Sequence, residues 1–453
     1  MFGWFSPKCP LDDPREKAWV EWQMLWLTEQ LGRDRLKRVE VLVPAPDEFP
    51  EYQTGSDSEL AILLERVARQ MDANPSKFQI QIVPDEKPHE TLRKIPEDES
   101  EHVIVVRESQ RKDFSSLLAT LSRHLMDHLL QTVQKLEETE EGYPHLLDLG
   151  MVYFGLGIFG ANVTFRDFSE SDGSWHYWHY RREGFLASRH FGYALALFAW
   201  LRGEHAPHWA EYLRLDARDV FWKSLRYLEK TGDSLFNPDW AGMNRDEPSL
   251  PDLLDDLQSR SASRRVAALW KIEERGFQSH EVRERVLRVT HDPHFAVRVE
   301  AVRILPMVDS ESHNENLVPV LLELLRDPHA QVRAAAAEAL GYYRNEPEVI
   351  VQELTASLAD QSQDVIAAVA EALTQFGRLA SHAAEALSGP LRHALVHCEY
   401  DLIDHLLTAL TVIHKSPEDF LHHEYQDDDE LRTFAEESLT NLQSESTESE
   451  EVD

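Results

Sequence analysis

Cysteine is almost missing: Cys9 and Cys398 are the only two among 453 residues, and they sit near opposite ends. Two thiols so placed exclude a disulfide framework and a thiolate zinc cluster. Positive charge is also scarce. The chain has 46 lysines and arginines against 81 acidic side chains, a formal net charge of −35. Such a surface repels nucleic-acid phosphates and anionic membranes and favours basic protein partners. Neither a nucleic-acid partner nor membrane association is therefore expected. The opening MFGWFSPKCPLDDPREK has no long apolar run behind a basic one. No secretory signal is expected, and a cytoplasmic location is the simplest reading. The most apolar stretch, LLDLGMVYFGLGIFGANVTF (146–165), carries Asp148 and Gly150, Gly155, Gly157 and Gly160. It predicts a buried helix rather than a membrane span. Those glycines match no phosphate-binding loop, and no G-x-S-x-G elbow is present.

What is present divides by texture. A tryptophan-rich, aperiodic region runs to about residue 245. A repetitive helical region covers 246–440, and the acidic tail 441–453 has too little apolar surface to fold. The stretch FNPDWAGMNRDEPSLPD (236–252) reads as the linker between the first two.

The repeats follow from aligning DPHFAVRVEAVRIL (292–305) with DPHAQVRAAAAEAL (327–340). Identical offsets give Val297/Val332, Arg298/Arg333, Ala301/Ala336 and Leu305/Leu340. Weaker copies supply Arg265, Ala268 and Ile272; then Val365, Ile366, Val369 and Leu373; then Leu402, Leu406 and Leu410. Asp-Pro ends one helix and starts the next, alanine allows close helix approach, and valine and leucine share the core. The arginine after valine should lay its stem between units and pair with the aspartate of a neighbouring repeat. A period of roughly 35–40 residues with two helices per unit is that of an α-solenoid. The pattern resembles HEAT repeats. That resemblance implies about five helical hairpins presenting an extended surface to a protein partner. Some relatives bind nucleic acid through a basic groove, which this charge disfavours. Alternatively the array only supports the first domain or a self-association.

In the first region, REKAWVEWQMLWLTEQLG predicts an amphipathic helix with Trp19, Trp22 and Trp26 on its core face. RVEVLVPAPDEFP, KFQIQIVPD and HVIVVRES read as strands, with the helix SELAILLERVARQMD after the first. Next comes a helix capped by Asp113, in which SRHLMDHLL places His124 and His128 one turn apart at the edge of the stripe formed by Leu117, Leu121 and Leu125. That is the spacing of the zinc motif H-E-x-x-H. Asp148 lies at the mouth of the apolar glycine-rich stretch, where an unpaired charge is expensive and needs a partner.

The run FSSLLATLSRHLMDHLL…HLLDLGMVYFGLGIFGAN resembles bacterial zincin-like proteins. The resemblance implies a zincin-like α+β domain over 1–245, with a small sheet, and zinc held by His124, His128 and Asp148. The chain departs from the pattern where it matters most. Leu125 stands where the glutamate that activates metal-bound water belongs. Asp127 projects about 200° away from it. The expectation is thus a metallopeptidase-like head without its base, holding either no metal or a residual zinc. Leu125→Glu would recreate the motif. Asp127, His176, His179 and His190 are further pocket candidates. Alternation in WHYWHYRREGF places Trp175, Tyr177 and His179 on one strand face, where packing is favoured over ligation. A metal-dependent hydrolase with an atypical base is the alternative to an interaction scaffold.

Overall fold

The computed structural model describes residues 8–85, 102–134, 142–164, 166–171, 176–181, 184–236, 248–308 and 317–450. The chain divides into two units, Met1–Arg245 and Asp246–Asp453.

The first unit starts with α1 (Pro14–Leu31). The Asp13 carboxylate caps it by accepting from the Arg15 N–H at 2.8 Å, and Pro14 takes the first helical position, where no N–H is needed. Its buried stripe is not the tryptophan face. Lys17, Val20, Glu21, Met24, Leu27 and Thr28 are buried, while Trp19, Trp22 and Trp26 are half-buried beside them. Glu21 can turn inward because its charge is met there. Lys17 Nζ lies 3.3 Å away, and the Tyr193 hydroxyl and Leu235 N–H each donate at 2.5 Å.

After α2 (Arg33–Arg38), the segment expected as a first strand runs without a strand partner among the described residues. Its Leu42 N–H instead donates to the Gly155 carbonyl at 3.0 Å. Helix α3 (Asp57–Gln70) follows, then strands β1 (Phe78–Val83) and β2 (His102–Arg107), paired in parallel from Phe78↔His102 to Val83↔Arg107. Helix α4 (Phe114–Leu129) carries the paired histidines and is capped by Asp113, whose carboxylate accepts from the Ser116 N–H. The apolar glycine-rich stretch is two helices rather than one, α5 (Tyr143–Tyr153) and α6 (Gly157–Val163). The break falls at Gly155, where φ is +73° and a side chain would collide with the Glu40 carbonyl. Strands β3 (Arg166–Ser171) and β4 (His176–Arg181) pair antiparallel, and α7 (Ser188–Leu201) and α8 (Leu215–Thr231) pack together to close the unit. The core gathers Leu117, Leu121, Leu125, Met151, Phe159, Phe191 and Phe198.

The second unit is helical throughout its described residues: α9 (Leu250–Asp256), α10 (Ala262–Glu274), α11 (His280–Val289), α12 (Phe295–Val308), α13 (Val318–Leu324), α14 (Ala330–Leu340), α15 (Pro347–Ser357), α16 (Gln363–Phe376), α17 (Ala384–His397), α18 (Tyr400–Ile413), α19 (Pro417–Glu424) and α20 (Asp429–Glu450). Consecutive helices pair as hairpins, and α10, α12, α14, α16 and α18 pack in succession as one layer. This is a HEAT-like solenoid. Two sequence expectations change here. Part of the expected linker is α9, capped by a Ser249–Asp252 box. The expected tail is helical as far as Glu450, because α20 is anchored by the buried Leu431, Ala435 and Leu439 and its remainder carries no helix breaker.

The arginine–aspartate pairs expected between repeats form a ladder. Arg265 Nη2 donates to Asp292 Oδ1 at 2.8 Å. Arg298 grips Asp327 in bidentate fashion at 2.8 and 2.7 Å, and Arg333 grips Asp360 at 2.7 and 2.8 Å. Each aspartate also accepts from a backbone N–H of its own turn, those of His294, His329 and Ser362. Arg298 and Arg333 further donate to the carbonyls of Asp292 and Asp327, so each rung closes its own turn as well as binding its neighbour. The ladder starts where Ser259 replaces the aspartate and stops where Ile366 replaces the arginine. No helix among the described residues is long and apolar enough to cross a membrane.

Candidate functional site

Two loci gather polar and titratable side chains: the histidine helix of the head and the outer surface of the α12–α14–α16 layer. In the head, β2 leads through a short 3-10 turn into α4, and its last turns carry Arg123, His124 and His128. Leu125 is fully buried among the core leucines, so the position of the missing base faces packing rather than a cleft.

Asp148, on α5, has no exposure at all, and its partners account for both oxygens. Arg123 Nε donates to Oδ1 at 2.5 Å, while the Phe185 and Leu186 N–H groups donate to Oδ2 at 2.7 and 2.9 Å. The approach of that loop depends on Gly184, with φ at +89°, since a Cβ there would strike the Arg123 guanidinium. The cation that neutralises this buried carboxylate is therefore a side chain, Arg123, from the residue next to His124.

The histidines lie elsewhere. His128 is buried with its ring against Phe78 of β1 and His102 of β2, the two imidazole centroids 4.1 Å apart. Its Nδ1 has no hydrogen-bond partner among the described residues. Burial, aided by His102 and Lys77, pushes its pKa down to about 4. His124 is also pushed down to about 4, by burial and then by Arg123. Both are neutral imidazoles at neutral pH.

These three side chains do not converge. Among the described residues, the only group of three such ligands with donor atoms within 4.8 Å of one another is His393, His397 and Glu399. A zinc ion between His124, His128 and Asp148 does not fit, because Asp148 already has a cation and two backbone donors. Asp127 instead accepts from the Tyr143 hydroxyl at 2.5 Å and from Gln131, tying α4 to the start of α5. His190 lies 3.2 Å from Glu16, its pKa lowered chiefly by burial. His176 and His179 lie on β4, paired in register with Ser171 and Phe168. Trp175 lies outside the described residues. His102 escaped the sequence reading, although the strand it opens was recognised; only the fold places it beside His128.

On the solenoid, a groove crosses α12, α14 and α16. Ala335, Ala339 and Ala372 line it as small residues, and Arg303, Glu338, Tyr342, Glu371 and Gln375 supply its polar and aromatic lining. Tyr342 is 74% exposed, so its ring offers contact area to a partner. Glu338 is exposed, but partial desolvation against the groove wall raises its carboxyl pKa; Arg303 opposes that rise and Glu371 adds to it. One or two helical turns from each of three successive repeats build this surface. The alanine offsets were visible in sequence, but the acidic lining between them was not singled out.

The HEAT repeats family matches residues 318–410, which span α13 to α18 and include the α14 and α16 walls of the groove. Comparison with curated proteins finds no match.

Proposed function

We propose that this chain is a protein-interaction scaffold. Its HEAT-like solenoid would dock a basic segment of a protein partner in the α12–α14–α16 groove, and its head would be a zincin-like domain that has lost the hydrolytic site. The observation that carries the docking reading is the exposed Tyr342 lining one groove with Glu338 and Glu371, the second of which helps raise the pKa of the first. A basic side chain entering there would relieve that repulsion while the aromatic ring offers contact area. HEAT repeats commonly serve as such surfaces, and the net charge of −35 suits a basic partner far better than a nucleic acid.

The zincin-like reading of the head rests on element order. A strand, β2, precedes the histidine helix α4, and the next helix, α5, brings an acid, as the resemblance implies. Its degeneracy rests on two replacements, a buried Leu125 for the base and Arg123 for the metal beside Asp148. A metal-dependent hydrolase has no observation in its favour among the described residues. We infer a cytoplasmic setting, in keeping with the sparse cysteines.

The test uses the immobilised full chain, with captured proteins quantified against a Tyr342→Ala/Glu371→Lys variant. Retention of defined proteins by the native chain and their loss with the variant supports the reading. Identical capture by both would sink it.

A further inference from the structure

The one-turn histidine spacing of α4 recurs on α17, in the stretch HALVHCEY (393–400). His393 and His397 are one turn apart and both exposed, with rings stacked at a centroid distance of 4.2 Å and planes inclined by 23°. Cys398 then ends the helix in the left-handed region, with φ at +54°, so the chain turns back and Glu399 becomes the N-cap residue of α18. This turn brings Glu399 Oε2 to 3.6 Å from His393 Nδ1.

That distance is too long for a hydrogen bond. It is close to the separation of two zinc ligands, since atoms each about 2.0–2.2 Å from a tetrahedral ion stand roughly 3.3–3.6 Å apart. The other Glu399 oxygen, Oε1, accepts from Gln363 Nε2, which fixes the carboxylate plane. Oε2 is shut from water and has no hydrogen-bond partner among the described residues. An anionic oxygen left in that state is costly unless a cation completes it. His397 is oriented too: its Nδ1 lies 2.8 Å from the His393 carbonyl, where it must donate, leaving Nε2 with the lone pair a metal needs. One donor atom from each of the three residues falls within 4.8 Å of the others.

We propose that His393, His397 and Glu399 form a site for one divalent transition-metal ion of the zinc type, which staples the turn between α17 and α18. Two imidazoles and one carboxylate suit zinc and discriminate against magnesium and calcium, which prefer all-oxygen shells. Three protein ligands leave room for water, and the exposure of both rings makes occupancy responsive to the free ion.

The experiment titrates chelator-treated full chain with zinc chloride by calorimetry, with magnesium chloride as the hard-ion comparison. One zinc per chain with saturable, micromolar binding is expected. His393→Ala and His397→Ala, both exposed and safe for folding, should each weaken it at least tenfold. A His422→Ala/His423→Ala control on α19 should leave it unchanged. Excess zinc should raise the melting temperature of the native chain by about 3 °C and that of His397→Ala by less. Absence of saturable zinc binding, equal binding of magnesium, or native affinity in His393→Ala and His397→Ala would each overturn the proposal.

Discussion

The head and the solenoid both bury aspartates against arginines, but they arrive at that arrangement differently. In the solenoid, Arg265–Asp292, Arg298–Asp327 and Arg333–Asp360 recur at nearly constant separation, each pair joining one repeat to the next. Among the described residues of the head, the buried aspartate is Asp148, whose pair with Arg123 crosses from α4 to α5 and takes two further donors from a loop. The repeated pairs act as a fastening rule, written once and copied. The single pair neutralises a carboxylate that, under the proposed zincin-like reading of the head, would have held a metal. The same chemistry thus supports regular stacking in one region and ties two helices and a loop together in the other.

This contrast should appear first in stability. Arg123→Met strands a fully buried carboxylate on two backbone donors, and a loss of about 4 kcal/mol in denaturant unfolding is expected. Adding Asp148→Asn removes the charge while keeping an acceptor for Phe185 and Leu186, and it should restore most of that loss. No recovery in the double variant would mean that Arg123 acts through packing and not through charge. In the solenoid, Arg298→Met leaves Asp327 its backbone donor and slight exposure, so about 3 kcal/mol is expected. Equal costs from both substitutions would erase the distinction between fully enclosed and nearly enclosed pairs.

Leu125→Glu tests the head differently. It recreates the H-E-x-x-H spacing but places a carboxylate at a site with no exposure. We expect about 3 kcal/mol of destabilisation and no gain of zinc binding at His124 and His128, because Asp148 stays with Arg123. Stoichiometric zinc binding that depends on His124 would contradict this.

The smallest effect concerns pH. Arg333 holds the Asp360 carboxyl below its ordinary value, mainly through their hydrogen bonds. A depressed native pKa contributes stability above the unfolded carboxylate range, near pH 4, and that contribution is lost as pH falls through the native value. Arg333→Met should therefore flatten the acid limb of a melting-temperature profile. Glu338 runs oppositely: its raised pKa favours the protonated form, so its contribution is lost as pH rises through the native value.

How much of this was legible before the fold was known differs between the regions for physical reasons. The solenoid could be read because several constraints agree at one offset. Asp-Pro, Val-Arg, Ala and Leu each serve packing or capping, and repetition multiplies the signal. Even the interrepeat pairing was readable, since the arginine and the aspartate recur together. In the head, each contact is used once. The Arg123–Asp148 pair has no local signature, and His102 meets His128 only because β1 and β2 lie beside α4. The tryptophan face of α1 misled because apolar periodicity ignores charges that find partners, as Glu21 does with Lys17, Tyr193 and Leu235. The segment 39–45 has the composition of a strand, but it bonds to the α5–α6 break instead of a neighbouring strand. His393 and His397 had the right spacing, but the role of Glu399 depends on a left-handed Cys398 that no pattern announces.

The scaffold reading is tested most directly by cross-linking coupled to mass spectrometry on the full chain with its captured proteins. Carboxyl-to-amine cross-links from Glu338 and Glu371 to lysines of a basic partner segment are expected, abolished by Tyr342→Ala/Glu371→Lys and unaffected by Arg298→Lys. Cross-links confined to the head, or persisting unchanged in the groove variant, would contradict it.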